Sequence, residues 1–230
     1  MDTATIKAGI GGGMLLLLAA FSCAEKQQAF KEQAVNSPST FRGQLQTIPG
    51  KLQCEHYDRG GEGRAYHDMD SSNNGSGRLN KGPDALSTFR KDEGVDISFT
   101  KFHDSIDNSV FNLVSPEEGQ LYVGWTEPGE WINYTVDVRQ SGTYGIGLMY
   151  TANQHGQISI TAEEGSGSGI LLIRSTYDAA DPVNWRQWHH WNFEENLGTI
   201  YLKQGVRVLT LNTVAVGQMN YDYIEFTLKD

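Results

Sequence analysis

The alternation of apolar and polar residues within short segments is the feature that most constrains how this chain can fold. In residues 131–138 every second side chain is apolar, from Ile132 to Val138, and residues 143–151 repeat the pattern. A period of two is typical of a strand with one buried face. Turn sequences such as Glu-Pro-Gly at 127–129 separate the segments, and 26 glycines agree with many tight turns. The pattern therefore predicts an all-β sandwich or barrel rather than a helical bundle.

Ten segments of this kind are predicted as strands. They cover residues 52–57, 95–98, 121–125, 131–138, 143–151, 157–162, 170–174, 187–193, 206–212 and 221–228. The long polar stretch 58–94 interrupts the rhythm. A loop of this length in a compact domain is usually functional or disordered.

The N-terminal residues are typical of a secretory signal. Residues 8–21 carry no charge, and this run is shorter than the ~20 apolar residues of a membrane-spanning helix. Residues 18–23 resemble a loose bacterial lipoprotein signal in which Cys23 is lipidated after cleavage. The alternative is an ordinary secreted protein that is cleaved nearby. A lipidated Cys23 would leave Cys54 as a single thiol.

The chain is accordingly divided into a signal at 1–22, a polar linker at 23–49 and a folded domain at 50–230. The linker could instead be a pro-segment or a frayed first strand. The prediction is a secreted or cell-surface protein, an outer-membrane lipoprotein of a bacterium, that meets the membrane only through its lipid anchor. The net charge of −10 without a basic stripe excludes nucleic acid as a partner.

Two motifs that suggest a metal site fail on inspection. Residues 68–79 begin like an EF-hand loop, but Asn73 stands where glycine is needed and Leu79 where glutamate is needed. His189 and His190 are adjacent on a predicted strand, so they would point to opposite faces. Neither pattern predicts a metal centre.

Four segments, in order along the chain, resemble the family 6 carbohydrate-binding modules. They are residues 52–57 with 66–68, residues 89–97, residues 123–136, and residues 184–188 with 219–226. The resemblance covers about residues 50–230. It implies a β-sandwich jelly roll of the galactose-binding-like type, a structural calcium, a sugar-binding cleft at the loop end and no catalysis of its own.

The resemblance places calcium (Ca²⁺) at Gln53, Glu55 and Asp222. Gln53 and Glu55 lie two residues apart on a predicted strand, so their side chains should share a face. Asp222 has the same strand parity as apolar Ile224, and a carboxylate at a core edge is costly unless it is paired or metal-bound. The alternative is a hydrogen-bonded polar cluster without metal.

The resemblance places the sugar between Phe89 and Trp185, with Asn220 at the base of the cleft. Tyr66 or Glu62 of the long loop would add a further contact. Flat aromatic faces suit the C–H side of a pyranose ring, and polar groups suit its hydroxyls. The remaining aromatics of the matched segments are predicted to lie in the core or on a sheet face: Trp125, Trp131, Tyr134 and Trp188.

The predicted function is non-catalytic binding of a polysaccharide or oligosaccharide, of β-glucan or xylan type. Glycan-degrading enzymes on other chains are the expected partners. One alternative is a small glycoside hydrolase or lyase that uses Glu127 with Glu130, or Asp68 with Asp70. Such an enzyme would need two carboxyl groups across the aromatic cleft, ~5–10 Å apart. A second alternative is a cell-surface adhesion domain.

Overall fold

The computed structural model describes residues 40–163 and 165–229, and within them the chain is a β-sandwich. The strands are β1 (Gln46–Ile48), β2 (Gly50–Gln53), β3 (Tyr66–His67), β4 (Ile97–Phe99), β5 (Leu121–Val123), β6 (Trp131–Val138), β7 (Gly142–Ala152), β8 (Gly156–Ala162), β9 (Leu171–Ile173), β10 (Asn192–Leu202), β11 (Gly205–Ala215) and β12 (Met219–Leu228). Short 3-10 turns occupy Phe41–Gly43, Cys54–His56, His103–Ser105 and Asn184–Arg186. The described residues contain no α-helix.

The strands form two sheets that enclose one core. The first sheet has the order β1-β6-β11-β8-β9, with β3 also paired to β6. The second has the order β10-β7-β12-β5-β4, with β2 also paired to β12. The β1–β6 pair is parallel, and the other pairs are antiparallel. This architecture confirms the predicted all-β sandwich.

The alternating segments supply the core as the pattern predicts. Tyr134 and Val136 of β6 are at most 1% exposed, and so are Ile146 and Leu148 of β7. Removal of apolar surface from water contributes ~25 cal/mol per Å². The two inner faces therefore hold the sheets together, and the loops at their ends are free to build a site.

Two strand predictions differ from the structure. The predicted strand 187–193 is a turn followed by β10, because a register shift between Glu194 and Gly198 interrupts the alternation that would have revealed β10. The end of the predicted linker belongs to the domain, since β1 pairs with β6 and Ile48 is fully buried. A run of three strand residues is too short to give a clear period.

The polar stretch 58–94 is ordered by buried side chains. Oδ1 of Asn73 accepts hydrogen bonds from the backbone N–H groups of Gly75, Ser76 and Ile97 at 2.9–3.0 Å. Asn73 stands where an EF-hand loop needs glycine, and its three accepted hydrogen bonds explain why an asparagine is found there. This anchoring carries the following residues, Leu79 and Asn80, to the wall of the main cavity.

The predicted signal, Cys23 and residues 23–39 of the predicted linker lie outside the described residues. No helix in the described part of the chain is long and apolar enough to cross a membrane.

Candidate functional site

An aromatic cavity of about 640 Å³ is formed by side chains of β4 and β5 and of neighbouring loops. It is lined by Leu79, Asn80, Ser98, Lys101, His103, Ile106, Tyr122, Trp125, Trp185, Trp188 and His189. Ligand sites of proteins are typically concave, largely apolar and of ~300–1,000 Å³, with a few polar groups. The size and the lining both fit that description.

Trp185 lies at the cavity with 57% of its surface exposed. It occupies the 3-10 turn Asn184–Arg186, and its neighbour Arg186 is buried. Nε and Nη2 of Arg186 donate to the two oxygens of Asp181 at 2.7 and 2.9 Å, and Nη1 donates to the carbonyl of Ser105 at 2.6 Å. Nε2 of His190 lies 2.9 Å from Oδ2 of Asp181. This network fixes the turn that presents Trp185.

The charge state of that network follows from its contacts. The hydrogen bond from Arg186 lowers the pKa of Asp181 well below its ordinary value, which keeps the carboxylate ionised. A buried bidentate Arg–carboxylate pair has well-defined geometry. The backbone around Trp185 is therefore held in place before any ligand arrives.

Trp125, in the loop that follows β5, also lines the cavity and has a strained backbone. Its φ is 49°, in the left-handed region that non-glycine residues seldom adopt. A side chain at Gly75 would place its Cβ 2.0 Å from the carbonyl oxygen of Ile97 and 3.3 Å from the Trp125 ring, so only glycine fits there. Strained residues held by their surroundings concentrate at functional sites. Trp125 was predicted to lie in the core or on a sheet face, and this prediction is wrong.

Asn220 lies beneath the cavity and is 1% exposed. Its Oδ1 accepts the backbone N–H of Trp125 at 3.1 Å. Its Nδ2 donates to Oγ1 of Thr151 at 2.8 Å and to Nδ1 of His189 at 3.0 Å. Both amide hydrogens are thus used inside the protein. Asn220 therefore positions Trp125 and His189, and its donors are not free for a sugar.

The same contacts fix the state of His189. Because Nδ1 accepts from Asn220, the ring proton is on Nε2, which donates to Oδ1 of Asp107 at 2.7 Å. Nε1 of Trp191 donates to that oxygen at 2.8 Å. Both ring nitrogens of His189 are thus used inside the protein, and the residue lines the cavity.

Three other residues predicted for the sugar site lie elsewhere. Phe89 does not line the cavity, and its ring packs against Phe41 and His56 with centroid distances of 5.6 and 6.2 Å. Tyr66 is 5% exposed, and its hydroxyl accepts the N–H of Gly94. Glu62 is exposed and hydrogen-bonded to His67. The structure therefore brings together Trp185 and, one layer below, Asn220, but not these three.

A second cavity of about 420 Å³ adjoins the first and shares Trp125 and Leu79 with it. Its charged lining is acidic: Asp70, Asp96, Glu127 and Glu130. Burial raises the pKa of Glu130 to about 7. The two oxygens of Glu130 accept the N–H groups of Met69 and Glu127 at 3.2 and 2.8 Å, which join two loops. No described carboxylate lines the aromatic cavity itself.

Glu55 and Asp222 are buried carboxyl groups near the start of the domain and on the last strand. They are 5% and 0% exposed, and Oε2 of Glu55 and both oxygens of Asp222 lack a hydrogen-bond partner among the described residues. Burial raises the pKa of Glu55 to about 8, and the nearby Asp222 adds to that rise. Burial likewise raises the pKa of Asp222 to about 8. Orphaned oxygens of this kind are rare in folded proteins and call for a bound cation or a proton.

The donor set fits a hard cation. In the described residues no group of three or more His, Cys, Asp or Glu side chains could hold a metal. Calcium, however, also takes amide and backbone carbonyl oxygens. Gln53 ends β2 opposite Tyr223, the neighbour of Asp222. Glu55 lies in the 3-10 turn Cys54–His56 rather than on a strand, so the prediction that Gln53 and Glu55 share a strand face is wrong.

Sequence reasoning also missed Trp188. The residue was predicted to lie in the core, yet it is half-buried and lines the cavity. Trp188 follows Trp185 by three residues, a spacing that is also typical of a buried helical or turn face. The period therefore does not distinguish a core residue from one that lines a cavity. The carbonyl oxygen of Trp188 accepts a hydrogen bond from Oγ1 of Thr176 at 2.7 Å, a contact twelve positions apart that no period encodes.

Comparisons with known proteins bear on this site. The family described as "Carbohydrate binding module (family 6)" matches residues 104–228. No curated protein sequence matches the chain. Among solved structures, a β-1,3-glucan-binding family 6 module from Bacillus halodurans is similar, with 15% identity, a TM-score of 0.45, and coverage of 80% of this chain and 98% of that one.

A family 6 module from Clostridium stercorarium in complex with cellobiose is also similar, with 14% identity, a TM-score of 0.47, and coverage of 81% of this chain and 99% of that one. The C-terminal family 6 module of a Zobellia galactanivorans laminarinase shares 24% identity over 47% of this chain and 81% of that one, with a TM-score of 0.38. The family match spans more than half of the 230 residues, and the chain belongs to the family 6 carbohydrate-binding modules.

Proposed function

We propose that this domain binds a polysaccharide of β-glucan or xylan type in the aromatic cavity and does not cleave it. The observation that carries the proposal is Trp185, whose exposed ring stands at a 640 Å³ cavity that Trp125 and Trp188 also line. Membership of a carbohydrate-binding family supports the same conclusion.

The chemistry of the cavity suits a sugar. Pyranose rings present a C–H face that packs on tryptophan, and this contact supplies most of the binding energy in aromatic sites. Asn80, Ser98 and Lys101 line the same cavity and offer hydrogen-bonding groups to the hydroxyls. The Arg186–Asp181 pair fixes the turn of Trp185, and Asn220 fixes the backbone of Trp125. Because both segments are ordered beforehand, less entropy is lost when the sugar binds.

The absence of cleavage is argued from where the carboxylates lie. A glycoside hydrolase needs an acid and a second carboxylate that face one glycosidic bond. Of the described carboxylates near the site, Asp107 is buried and bonded to Lys101 and His189, and the others line the adjoining cavity. The hydrolase remains the second candidate, because Glu130 and Asp68 have pKa values raised by burial to about 7 and about 8 and lie close enough to interact.

A structural calcium completes the proposal. Glu55 and Asp222 would bind it, with Gln53 and backbone carbonyls as candidates for the other oxygens. The ion would neutralise the two buried carboxylates and tie the turn after β2 to β12. Neither Glu55 nor Asp222 lines the aromatic cavity, so the ion would contribute to stability rather than to sugar contact.

The cellular setting is proposed from the sequence alone. Lipidation of Cys23 would hold the domain on the outer membrane, where it would keep polymer close to glycan-degrading enzymes on other chains. Metabolic labelling with a radioactive fatty acid, compared between the full chain and Cys23→Ala, tests this. Label that persists in the variant would contradict it.

A polysaccharide panel tests the function. Purified domain is run by affinity electrophoresis through gels that contain xylan, β-1,3-glucan, mixed-linkage glucan or agar-type polymer, with bovine serum albumin as the unretarded control. Retardation by at least one polymer is expected. Migration unchanged in all of them would refute the proposal. Release of oligosaccharide from the retained polymer, lost in Glu130→Gln, would favour the hydrolase.

A further inference from the structure

Lys101 is a half-buried ammonium group on the wall of the aromatic cavity. It lies two residues after the end of β4. Its Nζ donates to Oδ1 of Asn80 at 2.7 Å, and Nδ2 of Asn80 donates to Oγ of Ser98 at 3.1 Å. All three residues line the cavity. The hydrogen bond to Ser98 therefore orients the amide of Asn80, and that amide holds the ammonium group of Lys101 at the cavity wall.

This ammonium lacks an anionic partner. Among the described side chains, none of the ion pairs, each with N···O within 4.0 Å, includes Nζ of Lys101. Asp107 acts on it from a distance, but the oxygens of Asp107 already accept from the backbone N–H of Lys101, from His189 and from Trp191. An ammonium has three donors, and Asn80 takes one. Nζ also lies over the Phe99 ring, 4.4 Å from its centroid, a cation–π contact that supplies no formal negative charge. An anionic acceptor is therefore what the group lacks.

Because Lys101 is half-buried, its charge gains more from an anionic partner than the charge of a surface lysine would. Burial lowers the pKa of Lys101, while the charge of Asp107 raises it. A charge that has lost part of its water shell gains most from an opposite charge or strong acceptor. A neutral sugar hydroxyl supplies a weaker partner than a carboxylate or a sulfate.

The charges around the two cavities are separated by sign. Lys101 carries the formal positive charge of the aromatic cavity, and no described carboxylate side chain lines it. The acidic side chains line the adjoining cavity on the other side of Trp125 and Leu79. An anionic group could therefore reach Lys101 without facing a carboxylate, although the whole chain carries a net charge of −10.

We propose that the sugar seated against Trp185 carries an acidic substituent, a uronic carboxylate or a sulfate ester, which Nζ of Lys101 binds. The inference rests on the proposed function and adds the class of ligand. A plain β-glucan or unsubstituted xylan would fill the cavity but leave the ammonium without an anionic partner, with only Asn80 and the Phe99 ring beside it. The acidic polymer is the preferred one.

Matched polymers test this class of ligand. Glucuronoxylan is compared with the same polymer after carboxyl reduction, and a sulfated galactan with its desulfated form, by isothermal titration calorimetry. The proteins are the unmodified domain, Lys101→Met, Lys101→Arg, and Lys91→Met as a control for loss of one exposed charge outside the cavity. The two polymer pairs separate a carboxylate from a sulfate.

The unmodified domain should bind one acidic form about tenfold or more tightly than its neutral partner. Lys101→Met should abolish that preference, because it weakens binding of the acidic form about tenfold more than binding of the neutral form. Lys101→Arg and Lys91→Met should keep it. Equal binding of acidic and neutral forms by the unmodified domain refutes the inference while the proposed function stands. Equal loss of both forms in Lys101→Met also refutes it, and binding of no polymer refutes the proposed function itself.

Discussion

Replacement of Trp185 by alanine should weaken polysaccharide binding by about thirtyfold. Trp185 exposes 57% of its surface, which is roughly 140 Å² of the ~250 Å² of a tryptophan side chain. A sugar stacked on one face would cover about half of that exposed area, ~70 Å². At ~25 cal/mol per Å² the lost contact is about 2 kcal/mol, and each ~1.4 kcal/mol corresponds to a factor of ten.

The measurement is the dissociation constant of the best-bound polymer, obtained by isothermal titration calorimetry. The melting temperature is measured alongside, and Trp185→Ala should change it little because the side chain is largely exposed. Tyr201→Ala is the matched control, since Tyr201 is an aromatic side chain of β10 that is 50% exposed and does not line the cavity. That variant should bind normally.

Two results would refute this reasoning. One is an affinity of folded Trp185→Ala within about twofold of the unmodified domain. The other is a loss in Tyr201→Ala as large as that in Trp185→Ala. Either result would place the sugar away from the aromatic cavity, and the second would direct attention to the exposed face of β10.

Four further outcomes follow from the same contacts. Chelation of calcium should lower the melting temperature by several degrees and leave polysaccharide affinity almost unchanged. A melting temperature that chelator does not change would contradict a calcium site at Glu55 and Asp222. Arg186→Met should cost about 3–5 kcal/mol in unfolding free energy, read from urea titration, because it leaves a buried carboxylate without its main partner; an unchanged midpoint would contradict the network. Asn220→Ala should lower stability by about 1–3 kcal/mol, because buried polar groups lose their partner, and a loss confined to sugar affinity would restore Asn220 as a direct contact. Long incubation with bound polymer should release no oligosaccharide, and release that Glu130→Gln abolishes would show an enzyme.

The sandwich could be predicted because its cause is local. In β6 the alternation from Ile132 to Val138 is read directly from the sequence, and the structure gives the strand the same bounds, Trp131–Val138. The strands that escaped prediction lack that local signal. β1 has three residues, and β10 contains a register shift between Glu194 and Gly198, where polar residues break the apolar alternation.

The candidate site was predictable only in part, because several of its contacts join distant segments. Trp185 stood out as an aromatic residue that the core did not need. Asn220 was found through the resemblance, but its role depends on Trp125 and on His189, which lie 95 and 31 positions away. Phe89 was expected to face the sugar, and packing against Phe41, a residue of the predicted linker, turns it elsewhere. No period or motif encodes such pairings.

At Trp125, local backbone geometry and a contact from a distant segment act on the same residue. Its neighbour Gly124 has no side chain, and the carboxamide oxygen of Asn220 lies 3.0 Å from where a Cβ would be, which lets Oδ1 reach the N–H of Trp125. That bond and the left-handed φ turn the indole outward at the end of β5, between a basic and an acidic cavity. A core tryptophan would need neither the strain nor a glycine at 75. The cost in backbone energy places the ring in the wall of both cavities, and the residues that hold it there, Asn220 and Gly75, do not line either cavity themselves.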